Sequence, residues 1–325
     1  MRILSPDETR AHSIFTMVGQ EGAGLWRWLM VIVLAVIAWL GGVALLGPFR
    51  PTQVSRLVAS FAPLEQIYWA ALAAAGLITV IAVLMRRWPL GYAAATVAAY
   101  LAAFYLGGLL FALLPPGVEI PLGGTDDAVS FAVSRLWFAG PIVIALAVVW
   151  FVFRARIGGE DLALGVGNWF VASRDVSVKE TPSSWLVKLF TGYLLFVVAF
   201  AALTQFGVGF APITSGAVFA LLPAIATAAA TNAIAEEFVY RGFIQPAFVR
   251  YAGVGAGLWL QGLFFGIIHW GLSVGILAAL PTSLLIGVGS VIWGKAAYET
   301  RGMSWTIAAH FMIDVVIMAA YFVPR

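Results

Sequence analysis

The stretch AVFALLPAIATAAATNAIAEEFVYRG, residues 217–242, decides how this chain folds. From Ala217 to Ala235 it is apolar apart from Thr227, Thr231 and Asn232. At about 1.5 Å of rise per residue such a run spans most of a roughly 30 Å hydrocarbon core, so it reads as a membrane-crossing helix. It ends on two adjacent carboxylates, Glu236 and Glu237. Burying a carboxylate costs several kcal/mol unless something compensates, and an ionisable residue at membrane depth marks a functional site by default. The other rare polar groups downstream, His269, His310 and Asp314, also sit in apolar runs. The rest of the chain is read as the scaffold that brings these five together.

Composition agrees with a membrane protein. Of 325 residues, 62% are hydrophobic and 10% charged, against about 25% charged in soluble domains. Apolar runs near 25–47, 66–85, 90–114, 129–153, 185–206, 217–237, 254–271, 274–296 and 303–322 predict an all-α, polytopic transmembrane bundle of about nine spans. Pro281 and Gly271 offer alternative breaks in the seventh and eighth runs. The first run is too long for a signal-peptide core and is kept as a span. With no cysteine in the chain, disulfide and thiolate chemistry are excluded. The net charge of +3 is small and gives no nucleic-acid surface.

Lys/Arg placement sets the orientation. The loop with Glu119, Asp126 and Asp127 lacks Lys and Arg and reads as external. Arg86-Arg87, the Arg154 to Lys188 segment, Arg241 with Arg250, and Lys295 with Arg301 fall on the other side, so the N-terminus is cytoplasmic; Arg50 and Arg56 dissent. The domain reading is 1–24 a tail, 25–153 a four-helix membrane region, 154–184 a cytoplasmic loop, and 185–325 the domain carrying the chemistry. Gly262-x-x-x-Gly266 and Asn232 are read as packing, the Trp residues as interfacial anchors, and His12 as tail surface.

Adjacent helical residues point about 100° apart, whereas residues four apart share a face. Glu237 and Arg241 can therefore form an ion pair, leaving Glu236 aimed elsewhere and free for chemistry. His310 and Asp314 are four apart, so Asp314 can hold the His310 ring in one tautomer. Phe265, one turn before His269, can pack on its ring. A turn at Ala252-Gly253-Val254 brings Glu236 and His269 to similar depth, with a kink expected at Pro246. One carboxylate and two imidazoles with a supporting acid can bind Zn²⁺ through Glu236, His269 and His310 and activate water. Alternatively the glutamate is itself the general base while the histidines stabilise an oxyanion. Both point to hydrolysis of an acyl bond in or near the membrane. The rival reading is a non-catalytic immunity protein, or a transporter using the acids as a proton path. A transporter predicts an internal repeat with broken helices in both halves, and no such symmetry relates 25–153 to 185–322.

The three motifs together resemble the CAAX prenyl endopeptidase and bacteriocin-processing (CPBP, or abortive-infection) family of membrane proteases. The family pattern EExxxR, FxxxH and HxxxN/D stands here as Glu236-Glu237-x-x-x-Arg241, Phe265-x-x-x-His269 and His310-x-x-x-Asp314. The similarity covers roughly 185–322. The resemblance implies that Glu236 with His269 activates the attacking water and that His310 with Asp314 positions or stabilises the oxyanion, while leaving a metal open. It implies a membrane-associated protein or peptide as substrate, with membrane lipids as surroundings. The Ala-, Gly- and Trp-rich composition suggests a prokaryotic cytoplasmic membrane.

Overall fold

The computed structural model describes residues 25–46, 63–112, 128–157, 164–173, 183–205, 216–269 and 276–322. The tail with His12, the acidic 119–127 loop and the loop with Arg50 and Arg56 lie outside the described residues. In chain order the elements are α1 (Leu25–Leu46), α2 (Leu64–Leu84), α3 (Trp88–Ala112), α4 (Ala128–Ile157), β1 (Ala172–Ser173), β2 (Ser183–Ser184), α5 (Trp185–Gln205), α6 (Gly216–Glu237), a π-helix (Phe238–Ile244), α7 (Gln245–Ala252), α8 (Val254–Ile268), α9 (Ile276–Thr300) and α10 (Ser304–Phe322). Because α6, the π-helix and α7 are continuous, the described residues form nine helical rods, one for each apolar run. Helices are the expected outcome, since backbone amides in lipid must be satisfied within their own segment. The two-residue strands pair antiparallel, Ala172 with Ser184 and Ser173 with Ser183.

Among the described residues, Leu64–Leu84, Trp88–Gly107 and Arg135–Ile157 are long and apolar enough to cross a membrane on their own. Ile32–Gly41, Trp185–Ala199, Val254–Ile268 and Ser304–Ala319 are shorter apolar helices. Large apolar side chains such as Ile144, Phe151, Leu195 and Leu285 face outward, as lipid contact requires. This is an integral membrane protein built of helices.

The largest core joins α1–α4 to the π-helix, α7 and α8. It includes Leu34, Tyr68, Leu101 and Leu146 from the first half of the chain, and Tyr240, Phe248 and Phe264 from the second. The N-terminal helices thus form one wall of the body that carries the chemistry. Segment 164–173 docks on the α9–α10 turn: Met303 N–H donates to the Gly165 carbonyl at 2.9 Å and Asn168 N–H to that of Thr300 at 2.9 Å. Trp185 and Trp305 differ from the anchor expectation. Both are buried, their rings meet at 5.1 Å, and their indoles donate to Glu299 and to the Trp185 carbonyl.

At Pro246, where a kink is expected, the helical register changes. Gln245 N–H bonds back to the Tyr240 carbonyl, five residues earlier, and Pro246 follows at the start of α7. Proline lacks an N–H and crowds the carbonyl four residues before it. Placing it where the register changes eases that conflict. The turn to α8 is made by Gly253, whose φ of 85° suits glycine. In α9, Pro281 lies within the helix.

Candidate active site

Glu236 and Glu237 end α6, where the register is about to widen. π-turns inside α-helices are rare and frequently lie at functional sites. His269 is the residue that caps the C-terminal end of α8, a helix of 15 residues. At about 1.5 Å per residue α8 is roughly 23 Å long, short of the hydrocarbon thickness, so it stops inside the membrane body. His269 Nδ1–H donates to the Phe265 carbonyl at 2.6 Å. A carbonyl only accepts, so this bond fixes the proton on Nδ1 and presents Nε2 to the site. The Phe265 and His269 rings stack at 4.3 Å.

His310 comes from α10. Its Nδ1–H donates to Glu237 Oε1 at 3.0 Å. The carboxylate that orients this ring is therefore Glu237, not the Asp314 expected from four-residue spacing. Asp314 Oδ2 lies 3.5 Å from the other ring nitrogen, Nε2, and is held by Asn232 Nδ2–H at 2.9 Å. Asn232, read from the sequence as packing, thus buttresses Asp314. Trp293 covers the His310 ring at 4.9 Å.

Glu236 Oε2 stands 3.8 Å from His269 Nε2 and 3.8 Å from His310 Nε2. That is beyond direct hydrogen bonding, and it is the separation at which a bridging water is considered. Glu236 Oε2 is buried without a hydrogen-bond partner. Glu237 faces His310 with Oε1 and the guanidinium of Arg241 with Oε2. Its Oε2 lies 3.2 Å from Arg241 Nε, and both side chains are completely buried. The guanidinium is fixed in turn by Ser290 Oγ at 2.9 Å and lies over the Phe265 and Trp293 rings. Gln261 donates to the same Ser290 oxygen at 2.8 Å. The helical-face argument thus describes the arrangement: Glu237 faces Arg241 while Glu236 faces the imidazoles.

Two residues of the first half of the chain reach this centre and were missed. Tyr100 of α3 meets Tyr240 hydroxyl to hydroxyl at 3.3 Å, and Tyr240 packs edge-on against Phe265 at 4.7 Å. Arg135 of α4 is close enough to act electrostatically on Glu236, His269 and Asp314. The signal for Arg135 was available, since an arginine within an apolar run is unusual.

A helical membrane body enclosing a carboxylate between two imidazoles, with a second ion pair fixing one of them, defines a class: membrane proteins with a buried carboxylate–imidazole centre. Comparison narrows the class. Residues 217–316 match the family model described as Rce1-like, type II CAAX prenyl endopeptidase Rce1-like. The region from α6 into α10 is thus Rce1-like, in line with the motif resemblance, and that family implies a protease. No curated protein and no solved structure matches the chain.

Proposed function

We propose that this protein is an intramembrane endopeptidase that hydrolyses a peptide bond in a membrane-associated protein or peptide, with Glu236 as general base. The observation that carries the reading is the unpartnered Glu236 carboxylate oxygen facing two imidazole Nε2 atoms at 3.8 Å each. With its Nδ1 proton committed to Phe265, neutral His269 offers Nε2 only as an acceptor. A water between them donates one hydrogen to His269 and the other to Glu236, leaving an oxygen lone pair for the substrate carbonyl. Glu236 takes the proton as the tetrahedral oxyanion forms and returns it to the leaving amine. His310, protonated on both nitrogens and flanked by Glu237 and Asp314, donates Nε2–H to that oxyanion. Asp314 and Asn232 set the angle of approach.

Zinc fits this donor set by type, since imidazole and carboxylate are its usual nitrogen and oxygen ligands. Among the described residues, however, no group of three His, Cys, Asp or Glu side chains is spaced to hold a metal ion. The reaction is therefore written without one. Orientation follows from the basic turns: we place the α2–α3, α7–α8 and α9–α10 turns in the cytoplasm of a prokaryotic cell, with nine rods crossing or entering the bilayer.

The test compares membrane peptides from cells carrying the parent protein with those from cells carrying Glu236→Gln, followed by cleavage of the identified substrate with purified protein. Loss of specific peptides in the variant, with cleavage restored by parent protein alone, is the expected result. A Glu236→Gln protein that still cleaves would overturn the assignment.

A further inference from the structure

A cavity of about 1060 Å³ opens on the side of the molecule where three turns gather, those joining α2 to α3, α7 to α8 and α9 to α10. None of Glu236, His269, His310 or Asp314 lines it. Its mouth carries Arg87, Arg250 and Arg301, one from each turn region, all exposed. No carboxylate among the described residues pairs with any of the three. Arg301 is held at a φ of 57°, a left-handed conformation uncommon outside glycine. Its walls also carry apolar side chains, among them Trp26, Met30, Ile78, Ile81, Leu90 and Val249, of which Trp26 and Ile81 are exposed. Gln245 also lines it, 3% exposed, and its side-chain carbonyl has no hydrogen-bond partner.

These features specify a ligand with two unlike ends. An apolar ligand gives three unpaired guanidinium groups nothing to bind, and a small anion leaves the apolar walls uncovered. We propose that the cavity holds an acidic phospholipid from the surrounding bilayer, its phosphate on Arg87, Arg250 and Arg301 and an acyl chain along Met30, Ile78, Ile81 and Leu90. Basic pockets between membrane helices recognise anionic headgroups in this way. The lipid would tie α1 and α2 to α7, and α7 continues directly into the π-helix that follows Glu236.

The full chain in neutral detergent is titrated with phosphatidylglycerol or phosphatidylcholine, reading melting temperature and the lipid retained in native mass spectrometry. Each arginine near an anionic headgroup contributes a factor of about five, so Arg87→Gln, Arg250→Gln and Arg301→Gln combined should weaken phosphatidylglycerol binding about a hundredfold. Ile81→Trp, which fills the apolar arm and leaves the arginines intact, should also lose retained lipid, and it decides the matter if the triple variant folds poorly. Phosphatidylglycerol is expected to raise the parent's melting temperature and phosphatidylcholine to leave it unchanged. Equal effects of the two lipids, or parent-like lipid retention in the triple variant, would sink the proposal. So would displacement of the lipid by inorganic phosphate alone or by a peptide carboxylate, since either would make the site one for free anions.

Discussion

Glu237→Gln should destabilise the protein in a way that Glu236→Gln does not, although the two residues are neighbours. Both side chains of the Glu237–Arg241 pair are 0% exposed, with 3.2 Å between charged atoms. Neutralising Glu237 leaves the guanidinium buried with Ser290 and two aromatic faces as company, none of which carries a negative charge. Breaking a buried pair from one side costs about 3–5 kcal/mol. At about 2 °C per kcal/mol for a large domain, the melting temperature falls by roughly 6–10 °C. The same change weakens the bond that orients His310, and loss of such a supporting contact lowers activity by roughly 10–100-fold. Glu236 faces only the two imidazoles, at 3.8 Å each and without a hydrogen bond to its Oε2, so Glu236→Gln should lose less melting temperature than Glu237→Gln while turnover disappears. The assay is a detergent melting curve with substrate cleavage on the parent, both single variants, and the double variant Glu237→Gln with Arg241→Gln. The double variant should recover at least half of the lost melting temperature. If Glu237→Gln melts within a degree of the parent, or the double variant melts lower than either single change, the buried-pair argument fails.

Further expectations follow from the same geometry. Gly266→Ala places a methyl group 2.9 Å from the Gly287 Cα where α8 meets α9; overpacking costs about 1–3 kcal/mol and displaces His269, so activity should fall more than stability, whereas Gly289→Ala, which meets nothing within 4 Å, should match the parent in both. Tyr100→Phe removes the hydroxyl facing Tyr240 and should cost about 0.5–1.5 kcal/mol, read as a small drop in melting temperature with unchanged substrate specificity. Single cysteines at Arg87, Arg250 and Arg301 should label from one side of sealed vesicles and a cysteine at Glu65 from the other; labelling of all four from one side refutes the orientation of α2. Chelator-treated protein should keep full activity if Glu236 acts directly on water, and loss of activity restored by zinc would establish the metal reading instead.

The helices were legible because a run of apolar residues in lipid has almost no alternative to helix, and Lys/Arg punctuation marks where each run ends. The three motifs were legible because four-residue spacing fixes which side chains share a face. What escaped the sequence is what depends on contacts between distant segments. Glu237 reaches His310 across 73 positions, and Asn232 reaches Asp314 across 82. Neither pairing has a local pattern, so the local candidate, Asp314 beside His310, was favoured for a role that Glu237 fills. Tyr100 and Arg135 were overlooked because the first four helices carry no motif, yet they share the core around the centre. The π-turn before Pro246 escaped the sequence because its i→i+5 bond leaves no signature in hydrophobic spacing.

The π-helix has a consequence for chain length. An i→i+5 bond encloses one residue more than an α-turn, and one residue corresponds to roughly 100° of rotation. Deleting a single residue between Phe238 and Ile244 would let the rod revert to α-helix, with the bond that Pro246 cannot donate missing. Because the wide turn already absorbs that residue's rotation of roughly 100°, everything beyond the deletion would keep nearly its present facing relative to the two glutamates. Pro246 would instead be set in plain α-register against the carbonyl four residues before it, the crowding that the wide turn now eases. The wide turn thus works as slack in the chain, taking up one residue while both ends of a single rod keep facing their partners.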